Sequence, residues 1–276
     1  MAPHDAVLGW DEDTTAEAYA AYCRDFPLYG ATSRDLARRA HLADSHLVID
    51  LCGGAGATAE AILALAPPHC RVLSLDSSAA MQRAGRRTLT DPRLGWITAP
   101  AEDLALLAPT GGVDAVVCNS AIWKTDVPRV FTAVARVLRP GGFFVFNIGG
   151  GFAGVRHADE DDAHPGLSLN RLIHQIAARD HGHTPAAAAK PPKLPLEKVG
   201  AHLVAAGLDL VESEVVAQHG TMAEKRAWLS IPVFARPEGD FTHAQRMTIL
   251  AKAYALTTPQ ALTVTSWLTV VARQPA

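Results

Sequence analysis

Short, almost wholly apolar runs recur along this chain between alanine-rich or amphipathic stretches, an order that predicts buried strands alternating with helices. Leu47 to Leu51 is the first such run, four apolar residues in five and too short for a stable helix. Arg71 to Leu75, Trp96 to Thr98, Val113 to Cys118 and Phe143 to Ile148 repeat it. Between them, Ala57 to Leu65, Ala79 to Thr88 and Val127 to Leu138 read as helices, and Ala101-Glu102-Asp103 opens a further one. Two helices precede the first strand: Thr14 to Tyr22, capped by Asp13 or Thr14, and Thr32 to His41 beyond a break at Phe26-Pro27-Leu28-Tyr29. After Ile148 the pattern loosens. A helix around Leu167 to Arg179 and a Pro, Gly and Ala-rich loop from His181 to Pro195 lead to a helix over Glu197 to Ala206 and an alternating strand over Leu208 to Ala217. Met222 to Leu229 and His243 to Leu256 are helical, and Thr263 to Ala272 alternates as a terminal strand. Strand and helix alternating in this way argue for an α/β fold with a parallel sheet covered on both faces; no internal repeat is present.

The first strand carries the chemistry. Gly53, Gly54 and Gly56 follow it and precede a helix, so they form a turn whose missing side chains let a ligand touch backbone. Gly54, Gly56 and Ala59 fit the dinucleotide pattern G-x-G-x-x-A, with Asp76 about 20 residues further on, which keeps an NAD(P)-dependent oxidoreductase as an alternative. Asp50 argues the other way. A carboxylate at the strand end faces the place where a dinucleotide lays its pyrophosphate, whereas S-adenosylmethionine brings an ammonium and a sulfonium and no phosphate.

Val48-Ile49-Asp50-Leu51-Cys52-Gly53-Gly54-Ala55-Gly56 resembles the first motif of class I S-adenosylmethionine-dependent methyltransferases of the small-molecule type, with Cys52 at the first glycine position. Asp76-Ser77 with Met81, the acidic pair Glu102 and Asp103, and Leu138-Arg139-Pro140-Gly141-Gly142 continue the resemblance over roughly residues 45 to 150. It implies a Rossmann-like seven-stranded, mostly parallel sheet with helices on both faces, an antiparallel last strand and a helical cap. S-adenosyl-L-methionine is the implied cofactor. The first motif, Asp50, Cys52, Gly53, Gly54 and Gly56, would hold its methionine end. Asp76 would accept the ribose hydroxyls, Ser77 and Met81 would follow, and Glu102 or Asp103 would meet the adenine amino group. In the family a helical preface forms a lid over the cofactor, for which Tyr22 and Tyr29 are the expected contacts. Ligands of open α/β sheets lie beyond the carboxyl ends of the strands, so Asn119, Ser120 and Trp123 are expected around the methyl donor and Asn147 at the acceptor. His219, at the end of the sixth strand, is the candidate base, and the cap contributes His157 and His174.

Composition narrows this picture more than it adds to it. The 276 residues are 49% hydrophobic and 19% charged with a net charge of -3, which offers no field for polyanions and disfavours nucleic acid as a partner. Four cysteines without C-x-x-C spacing suit a reducing compartment, and the absence of a leader or a long apolar run predicts a cytoplasmic protein with no membrane partner. His157, His164, His174, His181 and His183 match no compact metal motif, so no metal is expected. One domain over 1–276 is predicted, with a helical lid at 1–45, the cofactor core at 46–150, a cap insertion at 151–195, and a sheet edge at 196–276 with a helical excursion at about 220–260. The expected activity is methyl transfer to a small molecule, as in natural-product metabolism or antibiotic biosynthesis, by a monomer or homodimer. A non-catalytic S-adenosylmethionine-binding protein is the other alternative.

Overall fold

The computed structural model describes residues 8–162, 168–184 and 193–276. In chain order the strands are β1 (Leu47–Leu51), β2 (Arg71–Asp76), β3 (Leu94–Thr98), β4 (Val113–Cys118), β5 (Leu138–Gly149), β6 (Asp209–Thr221) and β7 (Leu262–Arg273). They form one sheet in the order β3-β2-β1-β4-β5-β7-β6, in which β1 to β5 are parallel and β7 is antiparallel to both its neighbours. Before β1 come α1 (Asp13–Asp25) and α2 (Pro27–Arg39). The parallel strands are linked through α3 (Ala57–Leu65), α4 (Ala79–Thr88), α5 (Leu104–Leu107) and α6 (Val127–Val137). Beyond β5 lie α7 (Gly150–Ala153), α8 (Asp159–Asp162), α9 (Leu169–His181) and α10 (Leu196–Ala206), and between β6 and β7 lie α11 (Met222–Leu229) and α12 (His243–Tyr254). The expected Rossmann-like sheet with helices on both faces, an antiparallel last strand and a helical cap is therefore present.

The central strands are apolar throughout because both faces are buried. Ile49, Val116, Phe144 and Phe146 pack on one side with Phe131 of α6, while Val48, Ala115, Val117 and Val145 pack on the other with Leu36 of α2 and Ile62 of α3. A smaller core ties Leu172, Ile173 and Ile176 of α9 to Met222 and Leu229 of α11 and to Ile249 and Leu250 of α12. These three helices thus form a unit of their own beside the sheet.

Two local expectations shift. The break before the second helix narrows to Phe26, which is extended, and Pro27 opens α2 instead of preventing it, since a first-turn proline gives up only an amide that has no helical partner. Arg139-Pro140-Gly141-Gly142, expected as a turn, lies within the start of β5. Leu138 pairs with Val113 and Phe143 with Ala115, so the four residues form an irregular insert in the ladder, eased by Gly141 at φ +76°. His164 and residues 185–192 of the expected cap lie outside the described residues.

The antiparallel edge is longer than the sheet it closes. Asn147 and Gly149 of β5 reach Thr269 and Trp267 of β7, but β6 and β7 continue to pair from Ala217↔Ser266 to Thr221↔Leu262. That overhanging ribbon leads directly into α11 and passes above the carboxyl ends of the parallel strands.

Candidate cofactor and acceptor site

The chain turns sharply after β1. Cys52 stands at φ +57°, Gly54 at +55° and Gly56 at +93°, so three of the five residues from 52 to 56 occupy the left-handed region. Cysteine pays about 1–2 kcal/mol for that conformation where glycine would not. Gly53 is required for a different reason, the space available. A Cβ there would lie 2.2 Å from both Asp50 Oδ2 and Ser74 Oγ. Asp50 is fully buried directly beneath the loop and accepts a 2.9 Å hydrogen bond from Ser74 Oγ. It therefore does not present an open face to a ligand. Burial, reinforced by the nearby Asp76, pushes its pKa up to about 7 against the pull of Ser74 and the Ala59 amide.

Asp76, at the end of β2, is held by two backbone amides. Gly54 N–H donates to Oδ2 at 2.9 Å and Ser78 N–H to Oδ1 at 2.8 Å. Each oxygen keeps a lone pair for a ligand. Burial raises its pKa and the two amides draw it back. Ser77 is exposed, and the neighbouring Ser78 caps α4 by accepting from Met81 N–H at 3.0 Å. The Asp11 carboxylate also seats on this helix start, accepting from Ala80 N–H at 2.9 Å and from Ser78 Oγ at 3.0 Å. Asp11 thereby fixes the neighbouring Trp10. Met81 is buried among Ala16, Ala80 and Ala84, with Trp10 and Tyr19 packed against them. Glu102 accepts from Asp126 N–H at 2.7 Å, which ties it to the start of α6, while Asp103 stands at the start of α5.

Beyond β4, Asn119 donates to Ser33 Oγ at 2.9 Å and to Thr32 Oγ1 at 3.0 Å, joining the strand end to α2. Asn147 is buried and accepts from Ser120 N–H at 2.6 Å, which holds Ser120 at φ +59°. Trp123 stacks on Phe152 with ring centroids 3.7 Å apart. Lys124 follows it, with Nζ 3.9 Å from the centroid of Trp10. Burial pulls the Lys124 pKa down to about 8, opposed by the carboxylate of Asp76 nearby. Cys52 is itself pushed up by the Cys118 thiol against it and by burial.

A cavity of about 730 Å³ opens beside this cluster, with Tyr22, Tyr29, Ser120, Trp123 and Lys124 on the sheet side. The ribbon supplies Gln218 and Gly220 to its wall, but His219 is absent from the lining. Its imidazole instead meets Asp159 Oδ2 at 3.0 Å on the exposed side. His157 lies nearby, its ring accepting from Asp159 N–H at 3.2 Å, and His174 lies in α9 against His183, 6.0 Å between centroids. Neither these two histidines nor Asn147 line the cavity. Tyr29 Oη accepts from Trp228 Nε1 at 3.1 Å, linking α2 to α11. Among the described residues no group of three His, Cys, Asp or Glu side chains is arranged to hold a metal ion, and no helix is long and apolar enough to cross a membrane.

Sequence reasoning passed over three residues that the fold brings to the glycine loop. Trp10 is a large aromatic inside an otherwise polar start. Tyr19 comes within 3.8 Å of the position a Gly54 Cβ would take, and its ring centroid lies 5.6 Å from that of Trp10. Lys124 adjoins Trp123 at a strand end already marked by topology.

These residues suit a ligand with a positive centre and vicinal hydroxyls. Asp50 and Asp76 bring acidic groups to the loop, Asp76 retains acceptor capacity, and Gly53 has no room for a Cβ. A cation bound over the loop would lower the pKa of Asp50 and disfavour the ammonium of Lys124. The complex then holds fewer protons than the free protein, so affinity rises with pH through about 7 and towards 8. Titrating S-adenosylhomocysteine calorimetrically from pH 6 to 7.5, in buffers of different ionisation enthalpy, should show proton release and several-fold tightening, at most about tenfold per pH unit for one proton. An affinity flat across that range would contradict the coupling.

Residues 48–142 match the family profile described as a methyltransferase domain. Over 112 residues the chain is 38% identical to trans-aconitate 2-methyltransferase of Azoarcus sp. (strain BH72), a stretch covering 40% of this chain and 42% of that protein. Over this matched part the chain is similar to methyltransferases. It is also 36% identical over 85 residues to a thiol S-methyltransferase of Homo sapiens, covering 29% of this chain and 34% of the relative. It thus spans less than half the length of either curated relative. Among solved structures, phosphoethanolamine N-methyltransferase 2 of Haemonchus contortus, in complex with S-adenosyl-L-methionine, superposes with a TM-score of 0.58. That likeness, at 17% identity, covers 98% of this chain and 59% of the other, and it concerns the fold. The matched range includes the glycine loop and Asp76.

Proposed function

We propose that this chain transfers a methyl group to a small organic acceptor held in the cavity beside Trp123 and Lys124. One observation carries the reading: Trp10 and Lys124 line the acceptor cavity and also adjoin the glycine-loop cluster, so the two compartments share a wall. Bound S-adenosylmethionine would supply an electrophilic methyl on a sulfonium. Asp76 would accept the ribose hydroxyls with its remaining lone pairs, while Gly53 and Gly54 allow close approach of the loop. Tyr19 and Trp10 would cover the loop and exclude water, and α1 and α2 would serve as the lid. The α9, α11 and α12 unit would be the cap, fixing the acceptor in line with the methyl, which is where most of the rate enhancement for such a reactive donor arises.

An acceptor that loses a proton needs somewhere to deliver it. Lys124 lies in the cavity wall with its pKa near 8, so a fraction of it is neutral amine at ordinary pH. His219 would need to turn away from Asp159 to serve the same purpose. The size of the cavity and its aromatic wall suit small metabolites of the natural-product kind, antibiotic precursors included, and this reading carries with it a cytoplasmic protein active as a monomer or homodimer. The names of the two curated relatives, which act on trans-aconitate and on thiols, support a small acceptor.

Calorimetric titration of the purified chain with S-adenosylhomocysteine and with NAD tests the cofactor half. The first should bind one to one and the second should give no heat of binding. NAD binding in place of S-adenosylhomocysteine would return the chain to the oxidoreductase alternative.

A further inference from the structure

Four cations, Lys124, Arg156, Lys225 and Arg236, and two acids, Glu160 and Glu224, line the cavity wall. Both acids are already engaged: Glu224 accepts from Thr221 N–H at 2.7 Å in the cap of α11, and Glu160 accepts from Ser266 Oγ and faces Arg156 at 4.0 Å. Arg236 pairs at 3.1 Å with Glu238. Lys124 and Lys225, by contrast, have no carboxylate within ion-pair distance among the described residues. Each rests on a tryptophan instead, Lys124 on Trp10 at 3.9 Å and Lys225 on Trp228 at 4.5 Å. Phe234 joins the two rings, 5.4 Å from Trp10 and 4.0 Å from Trp228 in a stacked arrangement. Trp10 meets Phe234 edge-on, so the three rings form a contiguous aromatic cluster with an ammonium at each end.

Lys225 is costly to keep charged in this position. Burial, with Arg236 nearby, pulls its pKa down to about 8, and Glu160 offsets this only in part. A half-buried amine held on an aromatic ring, short of a counter-ion, gains most from an anion delivered into the cavity. The two ends of the cluster also differ in what lies beyond them. Lys124 borders Asp76 and Cys52 on the cofactor side, whereas Lys225 projects from α11, on the cap. An anion seated on Lys225 would lay the apolar body of its molecule along Phe234 and direct the far end towards Lys124.

We propose that the acceptor is an organic anion with a flat apolar body, and that Lys225 holds its negative group. This deepens the methyl-transfer reading and rests on it for the word acceptor, but the anion preference is measurable without turnover. Charge at this point would decide which molecules enter, because a neutral analogue leaves the buried ammonium uncompensated.

The test uses the full chain saturated with S-adenosylhomocysteine and a matched pair of probes, 3-phenylpropanoate and its neutral amide, with phenyl phosphate as a third arm. Dissociation constants are read by calorimetry or ligand-observed NMR. The carboxylate or the phosphate should bind at least about tenfold more tightly than the amide, the size of one charge-assisted contact. The difference between the two anions reports which negative group the cap prefers. Lys225→Met should erase the preference while leaving the S-adenosylhomocysteine affinity and the thermal midpoint unchanged, and Lys225→Arg should retain it. Arg236→Gln gives a second variant if Lys225→Met does not fold. Equal binding of anion and amide, absence of binding by all three probes, or a preference that survives Lys225→Met would overturn the proposal. Failure of S-adenosylhomocysteine to bind the unaltered chain would instead remove the methyl-transfer reading, a separate result obtained in the first titration.

Discussion

Gly53→Ala is expected to abolish measurable S-adenosylhomocysteine binding, a loss of at least about a hundredfold, and to destabilise the fold by about 2–4 kcal/mol. The added methyl would fall 2.2 Å from Asp50 Oδ2 and Ser74 Oγ, inside the hydrogen bond those two side chains make. Neither partner is the free end of a flexible side chain. Asp50 is fully buried with a short tether, and Ser74 is fixed in β2. Either the Ser74 bond breaks, leaving a buried carboxyl short of a donor at about 1–3 kcal/mol, or the loop moves outward. Outward movement sacrifices the 3.1 Å bond from Gly53 N–H to Leu75 O and displaces the Gly54 amide from Asp76. Gly54→Ala is the informative control. Its Cβ would meet nothing nearer than Tyr19 at 3.8 Å, so only the positive φ is paid for, about 1–2 kcal/mol. Thermal melts and titrations on both variants decide the matter, and equal effects at the two positions would show that crowding over Asp50 is not what makes Gly53 necessary.

Asp76→Ala is the second large effect. It removes the acceptor for Gly54 N–H and Ser78 N–H together with the lone pairs left for a ligand. We expect S-adenosylhomocysteine to bind about 10- to 100-fold more weakly, the equivalent of about 1–3 kcal/mol for lost charge-assisted bonds. Asp76→Asn retains one acceptor oxygen without the charge and should fall between the two. Because α4 keeps its Ser78 cap and its contact with Asp11, the loss should appear in affinity more than in the melting temperature. An unchanged affinity would take Asp76 out of the site.

Much of the sheet was legible because its strands are buried on both faces and so read as unbroken apolar runs. β1 and β4 have the same bounds in the fold as in the sequence pattern, and β2 and the helices α3 and α4 agree equally closely. The residues around the ligand were less accessible to pattern. Asp50 was placed correctly at the strand end, yet whether its carboxylate faces outward or lies beneath the loop depends on how Gly53 packs over it, which no spacing encodes. His219 illustrates a question of parity. It stands at the expected strand end, but side chains alternate, and once the register is set Gln218 and Gly220 line the cavity while His219 meets Asp159. Trp10, Tyr19 and Lys225 come from elements remote in sequence, so their convergence is a property of the tertiary assembly alone.

The surplus length of β6 and β7 has a consequence for how such an enzyme diversifies. Five residue pairs of the ribbon, from Ala217↔Ser266 to Thr221↔Leu262, have no β5 partner and carry α11 like a cantilever. Only the root of that beam is anchored in the layer that shapes the nucleoside half. Insertions, deletions and exchanges along its free span can therefore remodel what is recognised at the far end while the machinery beneath keeps its form, so that new chemistry can be tried at the tip without rebuilding the foundation.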